Sequence, residues 1–272
     1  MRKDFTEMVD RIGIDAGGSL TKIAYQEHGR FHVKTYENDE LKELIKWLQI
    51  ISPNANLLLT GGKSGYLQSM INQKSMIVNE FEAIIEGTRY LLDEEKVHID
   101  EYILVSIGTG TSVFHVTKDS YERMLGSGIG GGTLMGLGSL ITGRQAFHQI
   151  LALGKKGKRE NSDLLVKAIY APEQPPIDGN LTAANFAKAH VNKHARVEDH
   201  VAALIQLIGE AIISLASVAA ANKQVGKIVF VGSTLSDNSA LKDVLQGFQQ
   251  LMQYEPVFME RGAYAGAIGT LL

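Results

Sequence analysis

The chain has 272 residues, 44% hydrophobic and 21% charged, a balance that excludes a disordered or fibrous protein and allows one large domain or two modest lobes. With 27 basic against 30 acidic side chains, the formal charge of -3 offers no footprint for nucleic acid. The absence of cysteine excludes disulfides, thiolate zinc sites and cysteine-ligated iron–sulfur clusters.

Residues 1–10 mix charges with single apolar side chains and lack the apolar core of a signal peptide. The longest apolar run, residues 211–221, falls short of the ~18 residues of a spanning helix, so a cytoplasmic protein away from membranes is expected. Residues 12–25 then read as a β-hairpin, two alternating runs joined by a glycine turn. Gly17 and Gly18 let backbone N–H groups face an anion, and Ser19, Thr21 and Lys22 add donors. Asp15 would repel a bare phosphate unless a divalent cation lay between them. An ordinary glycine turn is the alternative.

A third strand is expected at 30–36, an amphipathic helix from Asp39 through Leu48, and a buried strand at 55–59. Gly62-Lys63-Ser64 resembles the end of a P-loop, but Leu57 stands where the motif requires glycine. A brief strand at 75–78 precedes Asn79, which caps a helix carrying Phe81, Ile84, Ile85, Leu91 and Leu92, with Glu82 placed as in a capping box. Glu80 thus falls in a first helical turn, where an acid also serves as an ordinary dipole partner, and the helix start is expected to keep it ionised.

Residues 102–107 are the clearest strand. They lead through Gly108-Thr109-Gly110-Thr111-Ser112 into a second strand at 113–117, repeating the pattern of 12–25 and predicting a second phosphate loop in a related lobe. A strand at 121–125 carries Arg123, and Gly126 to Thr133 feed a helix through Leu134, Leu137, Leu140 and Ile141. A GxGxxG match at 126, 128 and 131 lacks the acid that a dinucleotide fold places about twenty residues later. The preferred reading is a helix start whose free N–H groups meet nucleotide phosphates.

Residues 154–159 read as a solvated basic loop, Pro172 to Gly179 as an exposed connection, and 181–190 as a short helix. Residues 196–222 form a long apolar helix, either a core element or a subunit contact. A buried strand at 227–231 stops at Gly232-Ser233-Thr234, where a base or ribose can approach the backbone, as can a plain turn. A helix at 241–251, a strand at 256–259 and a small-residue helix at 263–272 complete the chain, and the eight histidines show no metal-ligand spacing.

Two phosphate hairpins followed by a strand–Gly–Ser stand in the order used by the acetate and sugar kinase, Hsp70 and actin superfamily. Within it the chain resembles the type II pantothenate kinases. The resemblance rests on Asp15 to Lys22, Glu80-Phe81, Gly108 to Ser112, Tyr121-Glu122-Arg123, Gly130 to Thr133 with Gly136-Leu137-Gly138, Leu181 to Phe186, and Tyr264 to Gly269, spanning nearly the whole chain. It implies an α/β, two-lobed actin-like (ribonuclease H-like) ATPase fold with nucleotide in the interlobe cleft. Residues 1–97 would form the lobe with the first phosphate loop and the catalytic acid. Residues 98–272 would form the lobe with the second loop, the adenosine site and the helices of a homodimer.

The resemblance further implies Glu80 as catalytic base, Arg123 on the pantothenate carboxylate, and Thr109 and Ser112 on phosphate and substrate. ATP would be held by Asp15, Ala16, Gly17, Gly18, Ser19, Leu20, Thr21 and Lys22, and by the backbone of Gly131, Gly132, Thr133, Leu134 and Met135. Ser233 would lie near the adenosine, and Asp15 would orient Mg²⁺ through water. Ser19 replaces a usual threonine, and Phe147 falls where a relative has an ATP-contacting tyrosine. The implied reaction is ATP-dependent phosphorylation of pantothenate in coenzyme A biosynthesis. The alternatives are a sugar or amino-sugar kinase of the same fold and a non-kinase ATPase switch; the activators of radical dehydratases among such switches need cysteine-ligated clusters.

Overall fold

The computed structural model describes residues 10–272, so the expectation that residues 1–10 carry no signal peptide falls, but for Asp10, outside the described residues. The first hairpin forms from β1 (Arg11–Ala16) and β2 (Leu20–Glu27), with Asp15 opposite Lys22. β3 (Arg30–Glu37) pairs antiparallel with β2. A 3-10 turn leads into α1 (Leu41–Ile51), which buries Leu44 and Leu48. β4 (Asn56–Thr60) runs parallel to β1, and after α2 (Ser64–Met70) β5 (Ser75–Ile77) runs parallel to β4. The unexpected α2 buries only Ser64 and Leu67, too little for an apolar stripe to be read.

α3 (Glu80–Glu94) starts on Asn79, whose side-chain oxygen accepts from the N–H groups of Phe81 and Glu82. The chain then repeats itself. β6 (Tyr102–Ile107), β7 (Thr111–Val116) and β8 (Tyr121–Ser127) form an antiparallel meander. α4 (Gly131–Thr142), α5 (Phe147–Gly154), β9 (Leu164–Leu165), α6 (Val166–Tyr170), β10 (Thr182–Ala184) and α7 (Val197–Lys223) follow. β11 (Lys227–Val231) enters parallel to β6. After α8 (Ser239–Gly247) and α9 (Gln249–Met252), β12 (Glu255–Phe258) lies parallel to β11, and α10 (Ala265–Gly269) ends the chain. The two sheets, β3-β2-β1-β4-β5 and β8-β7-β6-β11-β12, therefore share one topology.

α3 and α10 lie between these sheets. Ile85, Leu91 and Leu92 of α3 and Ala267 and Ile268 of α10 share an apolar cluster with Ala24 of the first sheet and Leu104, Phe114 and Val229 of the second. Each fully buried Leu or Ile there contributes about 1.5–3 kcal/mol. The two helices meet backbone to backbone: a Cβ on Gly87 would collide with the Ala265 carbonyl, and one on Gly269 with the Ala83 carbonyl. The small residues of the last segment thus anchor α3, and with it Glu80, at the junction of the lobes.

Several local expectations change. Residues 181–190 are not a helix: β10 pairs with β9, and Thr182 and Asn185 bond to Glu210 of α7. The basic loop is not simply solvated, because Arg159 donates to Thr182 and the Asn180 carbonyl and pairs with the fully buried Asp163. The expected helix at 241–251 breaks at Phe248, and that at 263–272 shortens to a 3-10 turn and α10. α7 has 27 residues, and its most apolar 18-residue stretch has a mean hydropathy of 2.0, so by length and composition alone it could cross a membrane, contrary to the reading of residues 211–221. Half of its most apolar stretch is buried, and Ile205, Ile208 and Ile212 pack with Ile103, Phe230 and Leu241 in the second lobe's core.

Candidate active site

A cleft of about 1050 Å³ takes its walls from both sheets, from the β1–β2 and β6–β7 turns, and from the starts of α3 and α4. The β1–β2 turn closes with Gly17 N–H donating to the Leu20 carbonyl at 3.0 Å. Side chains hold it. Lys22 Nζ lies 2.7 Å from Asp15 Oδ2, with the two side chains 10% and 14% exposed. Asn38 Nδ2 donates to the Gly18 carbonyl at 2.7 Å, and the Asn38 Oδ1 accepts from the buried Thr21 hydroxyl at 3.3 Å. Gly61, at φ +87°, packs against the Ala16 carbonyl, where a Cβ would not fit.

The β6–β7 turn is held by backbone. Gly108 N–H donates to the Gly110 carbonyl, and the N–H groups of Gly131 and Gly132 donate to the Gly108 and Thr109 carbonyls, each at 2.8 Å. Thr234 Oγ1 also donates to the Gly108 carbonyl, tying the turn after β11 to the same point. These bonds correct the reading of α4 as a helix start with free donors: its first N–H groups close the second loop. The two turns meet where Ser19 Oγ and Thr109 Oγ1 stand 3.3 Å apart.

Glu80 faces the cleft from the first residue of α3. Burial raises the affinity of its carboxyl for a proton, and the charge of Asp15 adds to this, outweighing the opposite effect of Lys22. The helix start is therefore not the only influence on this carboxyl, since burial and Asp15 act against its ionised form. Across the second sheet, Ser106, Ser112 and Gly126 are aligned in register on the cleft side. Arg123 follows on the same side, its guanidinium 5.3 Å from the centroid of the Phe81 ring, with no hydrogen bond or ion pair to the described residues.

Asp15, Gly17, Gly18, Ser19, Leu20, Lys22, Glu80, Thr109, Ser112, Arg123, Gly131, Met135, Phe147 and Ser233 all line the cleft. Ala16, Thr21, Gly132, Thr133 and Leu134 do not. Ala16 and Leu134 are buried in apolar clusters, Thr21 acts through Asn38, Gly132 through the Thr109 carbonyl, and Thr133 Oγ1 donates to the Gly128 carbonyl. Sequence reasoning missed Asn38 and Ser106, an amide beyond a strand end and a hydroxyl inside one. Neither carries a local motif.

The sequence matches the family described as Fumble over residues 11–272. It is 46% identical over 263 residues to the type II pantothenate kinase of Oceanobacillus iheyensis, with 96% of this chain and 98% of that one covered. The chain belongs to the type II pantothenate kinase family. A second relative of that name, from Bacillus cereus strain AH820, is 39% identical over 269 residues, covering 97% of this chain and 98% of the other. Among solved structures, the activator of the 2-hydroxyisocaproyl-CoA dehydratase from Clostridium difficile, with bound ADPNP, superposes with a TM-score of 0.63 at 13% identity over 96% of this chain and 92% of that one. At that identity the likeness concerns the two-lobed actin-like fold alone, and this cysteine-free chain has no ligands for a cysteine-held cluster.

For a type II pantothenate kinase the cleft's donor set also bears on Mg²⁺. No group of three or more His, Cys, Asp or Glu side chains converges to cage a metal among the described residues. One carboxylate beside a phosphate cradle fits instead, since Mg²⁺ keeps several waters and takes its remaining ligands from one or two carboxylates and the nucleotide. Three carboxylates line the cleft, Asp15, Glu37 and Glu80, and Asp15 stands at the first turn with Oδ2 engaged by Lys22.

Proposed function

We propose that this chain transfers the γ-phosphoryl group of ATP to the primary hydroxyl of pantothenate, giving 4′-phosphopantothenate in coenzyme A biosynthesis. Family membership supports the reaction. The observation that carries the site assignment is Arg123, a cation over the Phe81 ring with no hydrogen bond or ion pair among the described residues, in the same cleft as Glu80. A planar guanidinium suits a carboxylate better than an ammonium does, and pantothenate ends in one.

Glu80 accepts the proton of the attacking hydroxyl, and Ser112 orients the substrate between it and Arg123. Gly17, Gly18, Ser19 and Thr109 hold the phosphates where the two turns meet, and Lys22 balances charge beside Asp15. Met135, Phe147 and Ser233 bound the adenosine end, where Phe147 offers a ring face in place of a phenolic hydroxyl. Asp15 would hold Mg²⁺ through water; when bound, the ion neutralises charge on the transferring phosphoryl group. We also assign residues 1–97 and 98–272 to two lobes, with α10 returning to the first, and infer a cytoplasmic homodimer that binds neither nucleic acid nor membrane. The formal charge of -3 and the core packing of α7 support the last point.

ADP release by the purified chain with Mg²⁺ and ATP, measured against pantothenate, pantetheine and N-acetylglucosamine, tests the assignment. Turnover with pantothenate and none with the sugar is expected; the reverse would make the chain a sugar kinase of the same fold.

A further inference from the structure

Arg123 must present its guanidinium in one orientation to grip a carboxylate at two points, and the β7–β8 pairing sets that orientation. On a regular strand, residues three apart point to opposite faces. Arg123 and Gly126 are three apart and both line the cleft, because the register shifts: Val113 pairs with Leu125 while Phe114 pairs with Arg123, leaving Met124 as the extra residue of a bulge. Met124 and Leu125 both pack against the core cluster of the second lobe. Arg123 is thereby turned toward the cleft, over the Phe81 ring and against Gly126, where a Cβ would collide with its Nη2 atom.

We infer that Gly126 and Phe81 form a slot that orients Arg123 toward the acidic end of the substrate, making Gly126 a positioning residue for carboxylate affinity. This rests on the reading of Arg123 as the carboxylate ligand. Phe81 directly follows Glu80, so one helical turn sets both the base and the ring beneath the cation. The slot therefore holds the substrate's acidic end in register with its reacting hydroxyl. Any side chain at position 126 displaces the guanidinium and loosens that register.

The test is steady-state kinetics on the full chain carrying Gly126→Ala, Phe81→Leu, Arg123→Ala, and Gly126→Ala with Arg123→Ala. Gly126→Ala is expected to raise the pantothenate KM about tenfold, the scale of one misaligned charge-assisted bond. Its kcat and ATP KM should move about twofold or less, and with Arg123→Ala it should add no further rise, as for two residues acting through one contact. Phe81→Leu should raise the pantothenate KM in the same sense, and it decides the matter if Gly126→Ala does not fold. A normal pantothenate KM in Gly126→Ala, or in Phe81→Leu where that variant decides, overturns the slot and leaves the carboxylate reading standing if Arg123→Ala raises KM. An additive rise in the double variant also overturns it. An unchanged KM in Arg123→Ala overturns both readings.

Discussion

The two glycine turns that line the cleft close hairpins of identical topology, yet they are held by different means. In the first, side chains add to the backbone bonds from Gly17 to Leu20 and from Lys63 to Ala16: Lys22 on Asp15, and Asn38 on the Gly18 carbonyl. In the second, the Gly108 and Thr109 carbonyls take N–H groups from α4 and the Thr234 hydroxyl, so three segments of the lobe lock one turn. A backbone lock fails only when the lobe does, whereas a side-chain lock can loosen while the fold stands. Damage to the second turn should therefore appear first in stability, and damage to the first in nucleotide affinity and pH response.

The largest effect is expected at Gly232, whose φ of +110° sets it against the Ile107 backbone, with no room for a Cβ. Gly232→Ala should cost roughly 2–5 kcal/mol through backbone strain and overpacking, lowering Tm by about 5–15 °C in thermal unfolding. Thr234→Val leaves the Gly108 carbonyl one of its two donors and should cost about 1 kcal/mol, a Tm drop of about 2–4 °C. In the first lobe the pattern should invert. Asn38→Ala should raise the ATP KM about fivefold, near the worth of one neutral hydrogen bond, with Tm within about 2 °C of the parent.

The smallest effect concerns pH. Glu80 must be ionised to accept a proton, and its pKa is raised above the ordinary 4.5. Rates therefore fall as pH drops through that raised value, placing the acid limb above the ordinary glutamate value. Asp15→Asn removes a charge that raises the pKa, so the acid limb of kcat at saturating ATP should move to lower pH by a fraction of a unit. A limb that stays put, or moves upward, would separate Glu80 from the titration.

Much of the fold was legible because each hairpin announces itself locally, by alternation broken at glycine and hydroxyl residues. What escaped depends on distant partners. Residues 181–190 look helical from their alanines, but Thr182 and Asn185 bond to Glu210 on α7. The donors at Gly131 and Gly132 look free until the Gly108 and Thr109 carbonyls arrive from another strand end. The placement of Glu80 in a first turn was readable from Asn79, yet its raised pKa comes from burial and from Asp15 on β1, far away in sequence. Met124 and Leu125 read as two successive strand residues, and only the pairing with β7 reveals the bulge that turns Arg123.

The most direct test of the proposal that Glu80, in the cleft lined by both turns, is the base is the Glu80→Gln variant, assayed for turnover and for ATP binding by calorimetry. Pantothenate-dependent turnover is expected to fall by about 10²–10⁴ while ATP affinity stays close to that of the parent chain. Parental turnover in that variant would contradict the account.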